Sequence, residues 1–127
     1  MHLAARIVIA ISGLFIALGG LYDLLAPRLP LNLLAICGVN HRAQNLVREL
    51  LRALGGALIA IGSAVCAIAI AAGPVLTGSE VALILLLVLP AEGVNALAMR
   101  RVGSPWRFPA AFATLTLIGA LIALASA

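Results

Sequence analysis

Four long stretches of this chain carry apolar residues almost without interruption, and the polar and helix-breaking residues gather between them. The first stretch runs from Leu3 to Leu25, with Arg6 near its start, Tyr22 and Asp23 near its end, and Pro27 and Pro30 just beyond. Proline lacks a backbone N–H and ends a helix, so this pattern predicts a first span over residues 3–25. The second stretch, residues 43–72, opens on the charged turn of Arg48, Glu49 and Arg52 and stops at Gly73 and Pro74. A third helix is predicted from about Glu80 to Met99, with Ser79 as its N-cap and Glu80 favoured by the helix dipole. Pro90 lies inside it and predicts a kink. Arg100, Arg101 and Gly103 close that helix, and Ser104, Pro105 and Trp106 lead into the fourth stretch, residues 108–126. About 20 helical residues cross a hydrocarbon core of roughly 30 Å, so four spans and short connections use nearly the whole chain. The expected fold is therefore all-α: one integral membrane four-helix bundle. The connection after the first span is oddly apolar (Leu29, Leu31, Leu33, Leu34, Ile36) yet too short to cross. It predicts a short amphipathic helix over 31–37 lying in the interface.

Composition sharpens the membrane assignment. Hydrophobic residues are 65% of the 127 positions, charged residues only 9%, and the mean hydropathy is +1.24. A soluble domain is ordinarily near half apolar and a quarter charged. Membrane lipids must then act as the solvent for most of the surface. The apolar run from Ile7 to Leu25 is too long for a signal-peptide core and lacks a small-residue cleavage site, so it is expected to remain as a span. The net charge of +4 is carried by arginine alone, clustered at the ends of apolar runs. With no soluble surface to present a basic patch, nucleic-acid binding is excluded. Arg28, Arg42, Arg48, Arg52, Arg100, Arg101 and Arg107 fall on one side and Arg6 on the other. The positive-inside rule then places the arginine-rich loops in the cytoplasm and both termini outside. Abundant alanine and arginine with no lysine is the codon usage of a GC-rich bacterial genome, which points to a bacterial inner membrane.

Lipid gives helices no hydrophobic reason to associate, so close contact through small residues must hold them. Three spans show such residues at alternating spacings of three and four. The first has Ala10, Gly13, Ala17 and Gly20; the second has Ala53, Ala57, Ala60, Ala64, Ala67 and Ala71, with Gly56 beside the stripe; the fourth has Ala113, Thr116, Ala120, Ala123 and Ala127. These seams are expected to close a left-handed bundle.

Charges inside spans are costly and face partners or cavities. Asp23 ends the first span, Arg48, Glu49 and Arg52 begin the second, and Glu92 and Asn95 sit toward the end of the third. Antiparallel connectivity brings these ends to one membrane face as a polar layer. Two readings stay open: a structural ion-pair network, or a ligand or docking site. No catalytic set is visible. His2 and His41 lie at span ends, away from any haem or metal geometry. There is no phosphate-binding glycine loop and no Ser/His/Asp arrangement. Cys37 and Cys66 do not form a CxxC and read as small filling residues. No cofactor is expected.

The run Arg48, Glu49, Leu50, Leu51, Arg52, Ala53, Leu54, Gly55, Gly56, with Gly62 further on, resembles the second helix of small four-helix bacterial membrane proteins related to the DoxX-like group. Gly19, Gly20 and the proline after Leu25 fit the same pattern in the first helix. The resemblance implies a four-helix fold and no particular activity. Arg42, Gln44, Asn45 and Glu49 resemble in outline the polar helix of the MAPEG membrane glutathione transferases, in a different register. Three functions follow as expectations. The first is a non-catalytic accessory subunit that packs against other membrane subunits or itself and contacts lipid or pigment. The second is a small transporter or ligand carrier built on Glu92, Asn95 and Arg52. The third is a glutathione-transferase type of enzyme.

Overall fold

In the computed structural model, which describes residues 2–126, the chain forms five helices: α1 (His2–Leu25), α2 (Leu31–Cys37), α3 (His41–Ala71), α4 (Gly78–Arg101) and α5 (Arg107–Ser126). Helices α1, α3, α4 and α5 are each long and apolar enough to cross a membrane, so the protein is a multi-pass, all-α four-helix bundle. Helix α2 is the short helix of the first connection. The 31 residues of α3 would rise about 46 Å, more than the hydrocarbon core needs. Arg42, Arg48, Glu49 and Arg52 all lie in its first half, outside the apolar run that follows.

Local chemistry sets the helix starts. The Asn40 side chain accepts hydrogen bonds from the Arg42 and Ala43 N–H groups at 3.1 Å and begins α3. Helix α4 is capped by Thr77, which corrects the expectation for Ser79. The Thr77 hydroxyl accepts from the Glu80 N–H, and the Glu80 carboxylate accepts from the Thr77 N–H at 2.7 Å. That reciprocal pair needs a three-residue separation, which Thr77 has and Ser79 lacks. Helix α4 then continues unbroken through Pro90.

Around the bundle the order is α1, α3, α4, α5, with α1 and α4 on one diagonal. The closest approach is between α1 and α3, and glycine makes it possible. A Cβ at Gly20 would stand 2.5 Å from the Gly55 carbonyl oxygen, and one at Gly13 would stand 2.8 Å from that of Gly62. Both glycine pairs repeat at seven residues on antiparallel helices, so backbone lies on backbone at two successive levels. Leu58 between them and Val65 just beyond Gly62 are buried. The α3 seam is therefore Gly55, Leu58, Gly62, Val65 and Ala69, which corrects the sequence expectation. Ala53, Ala57, Ala60, Ala67 and Ala71 face outward, Ala64 is half-buried, and a Cβ at Gly56 would meet nothing.

The other two seams are internal. In α1, Gly13 and Gly20 are buried, with Ala10 and Ala17 half-buried beside them. In α5, Thr116, Ala120 and Ala123 are buried within this chain, with Ala120 only 1% exposed, and Ala127 lies outside the described residues. Gly119 leaves a notch for Ile9, and the Ser12 and Thr116 hydroxyls are hydrogen-bonded to each other at 2.6 Å. Phe15 and Phe112 stack one turn further along, at a centroid distance of 5.8 Å. At the opposite end, the Arg6 guanidinium donates to the carbonyls of Ala69 (2.9 Å) and Ile70 (3.0 Å). It thereby satisfies orphan acceptors at the C-terminus of α3, where a cation also suits the helix dipole.

Candidate functional site

Beyond the stacked Phe15 and Phe112 rings, the bundle opens into a cavity of about 490 Å³ at the arginine-rich end. Helix α1 contributes Phe15, Leu18, Gly19, Tyr22 and Asp23, α4 contributes Glu92, Asn95 and Met99, and α5 contributes Phe108 and Phe112. Leu58 of α3 lies at its inner wall. The cavity lies on the diagonal between α1 and α4, whose backbones stay apart. It is half-open, and its rim residues Tyr22 and Phe108 are exposed at 73% and 64%.

Glu92 is the deepest polar group of this cavity. It is 1% exposed and nine residues from the end of α4, about 14 Å along the helix axis. Asn95, one turn on and also buried, lines the cavity beside it. Asp23, half-buried near the end of α1, lines the same cavity. Two carboxyl groups thus share an apolar, aromatic chamber. Among the described residues no arginine forms an ion pair with either of them.

The structure divides the polar layer read from the sequence. It brings Asp23, Glu92 and Asn95 together and leaves the α3 residues outside. Arg52 and Glu49 pair with each other at 2.8 Å on an exposed face of α3, and Arg48 holds its Nε buried without a hydrogen-bond partner. Neither arginine lines the cavity. Cys37 and Cys66 are free thiols, and Cys66 donates to the Ala10 carbonyl at 3.3 Å within the α1–α3 contact. Among the described residues no group of His, Cys, Asp and Glu is arranged to hold a metal ion.

The aromatic walls were not anticipated from the sequence. The chain has three phenylalanines, one tyrosine and one tryptophan, and all but Trp106 line this cavity. Trp106 lies just outside, under the Arg100 guanidinium at 5.8 Å. The available signal was scarcity: aromatics occur only where the end of α1 faces the beginning of α5. The rim is braced from α2, where the Asn32 amide donates to the Val102 carbonyl (3.0 Å) and the Ser104 hydroxyl (2.6 Å).

No protein-family model, curated protein or solved structure matches this chain.

Proposed function

We propose that this chain is a membrane carrier that holds a lipophilic small molecule in the cavity between α1, α4 and α5. The observation that carries this reading is Glu92, a carboxyl almost wholly buried in an apolar chamber with no cation paired to it among the described residues. A bundle gains nothing structurally from such a group, because burying an unpaired charge is costly. The cavity volume falls within the range of small-molecule sites, and a few polar groups among apolar walls is their usual lining. The arginine-rich end, where the cavity opens, faces the cytoplasm in this reading, with both termini on the far side of a bacterial inner membrane. Arg52, which the sequence suggested as part of such a site, has no place in it.

Gly19 gives the test. It lines the cavity, and a Cβ there meets nothing within 4 Å, so a side chain can begin there without pressing on the backbone and fill the space a ligand would need. Ligands that bind the folded state raise its melting temperature. In a panel of lipophilic compounds, some should stabilise the purified wild-type chain and fail to stabilise Gly19→Phe. Identical responses of the two proteins to every compound would end the carrier reading.

A second reading, an accessory subunit or a self-associating chain, is favoured by the outward alanine face of α3. Small residues let another helix approach closely. Ala60 is exposed at the middle of that face. Replacing it with leucine should leave the unfolding free energy of the isolated chain within about 1 kcal/mol of wild type. On this second reading it should also reduce the mass of the complex extracted from the native membrane. An unchanged mass would count against docking through α3.

A further inference from the structure

The same cavity identifies the chemistry of its occupant, an inference that rests on the carrier reading. Three features converge on one chamber. Its ionisable groups are acids alone, Asp23 near the mouth and Glu92 at depth, with no arginine paired to either among the described residues. Its walls hold Phe15, Tyr22, Phe108 and Phe112, four of the five aromatic side chains in the protein. All seven arginines of this end of the chain lie outside the cavity lining.

We propose that the ligand is a lipophilic cation whose positive centre sits between Asp23 and Glu92 while its apolar groups lie against the phenylalanine rings. Each feature answers one cost of moving such a molecule out of water. The carboxylates supply the counter-charge that hydrocarbon lacks. The aromatic faces, negative at their centres, attract a cation that has shed its water. The Leu18, Leu58 and Met99 side chains take the apolar remainder. An anionic ligand of the same shape meets two carboxylates and no counter-ion, which makes the site selective by repulsion as well as attraction.

The experiment compares two probes of nearly one shape and opposite charge, tetraphenylphosphonium and tetraphenylborate, with a smaller neutral one, triphenylphosphine oxide. Their partition into lipid nanodiscs containing the protein is measured by equilibrium dialysis against empty nanodiscs. The phosphonium should show saturable excess binding, the borate none, and Glu92→Gln should weaken phosphonium binding about tenfold or more. Asp23→Asn, at a half-buried helix end where folding is little at risk, should weaken it less. Saturable binding of the phosphine oxide or the borate without the phosphonium would overturn the cation assignment and leave the carrier standing. Equal phosphonium binding by wild type, Glu92→Gln and Asp23→Asn would also overturn it. If no probe binds saturably to wild type, and Gly19→Phe behaves identically, the assignment and the carrier reading fall together.

Discussion

Gly62→Leu is expected to prevent the bundle from closing, whereas Gly56→Leu, the same change on the same helix, is expected to be nearly silent. At Gly62 even a Cβ would press on the Gly13 carbonyl oxygen and on the Ala17 backbone nitrogen, at 2.5 Å from the latter. The obstructing atoms are backbone, so no rotamer change relieves them, and α1 must move away from α3 along its length. Overfilling a close contact ordinarily costs 1–3 kcal/mol, and a collision of this kind belongs at the upper end. Gly62→Ala should therefore cost about 3 kcal/mol, and leucine more. The loss should spread beyond the substituted residue, because Gly20 and Gly55 repeat the contact one heptad away and Cys66, Leu58 and Val65 depend on the same spacing. At Gly56 a Cβ meets nothing, and a leucine there would point away from the bundle. Unfolding of the purified variants in detergent measures both effects. Equal stability of the two variants would show that the α1–α3 contact does not govern the fold.

The contrast between these glycines also explains what the sequence could and could not disclose. The spans were legible because lipid leaves the backbone no other way to satisfy its polar groups than a continuous helix. The prolines after Leu25 and the glycine–proline turn after Ala72 marked their ends. The α1 seam was legible because Gly13, Ala17 and Gly20 are the small residues at helical spacing in a helix otherwise rich in large ones. Helix α3 misled because alanine is abundant there. Six alanines at regular spacing outnumber two glycines, yet only glycine lets backbone touch backbone, so Gly55 and Gly62 decide the face. In the site, Asp23, Glu92 and Asn95 stood out because polar groups are costly in a span. Glu49 and Arg52 stood out for the same reason but lie on the extended end of α3, where exposure removes the cost. The phenylalanines were hidden, since an apolar ring in a span looks like any lipid-facing residue until the helices are placed.

The second large effect concerns the sign of a stability change at Glu92. If Glu92 were one half of a buried ion pair, removing its charge would strand the partner and cost about 3–5 kcal/mol. The structure gives it no such partner among the described residues, so Glu92→Gln should leave the empty bundle at least as stable as wild type. Glutamine keeps the size of the side chain, and it removes the need to bury a charge. Functional groups are often kept at some expense in stability, and substitutions that remove the expense remove the function with it. The expected pair of results for Glu92→Gln is thus undiminished unfolding free energy without ligand and a loss of the stabilisation that ligand confers on wild type. Denaturant unfolding with and without a bound lipophilic compound measures both quantities on one sample. A fall of about 3 kcal/mol or more in the ligand-free variant would mean that Glu92 holds the bundle together, and the cavity would then lose its claim as a binding site.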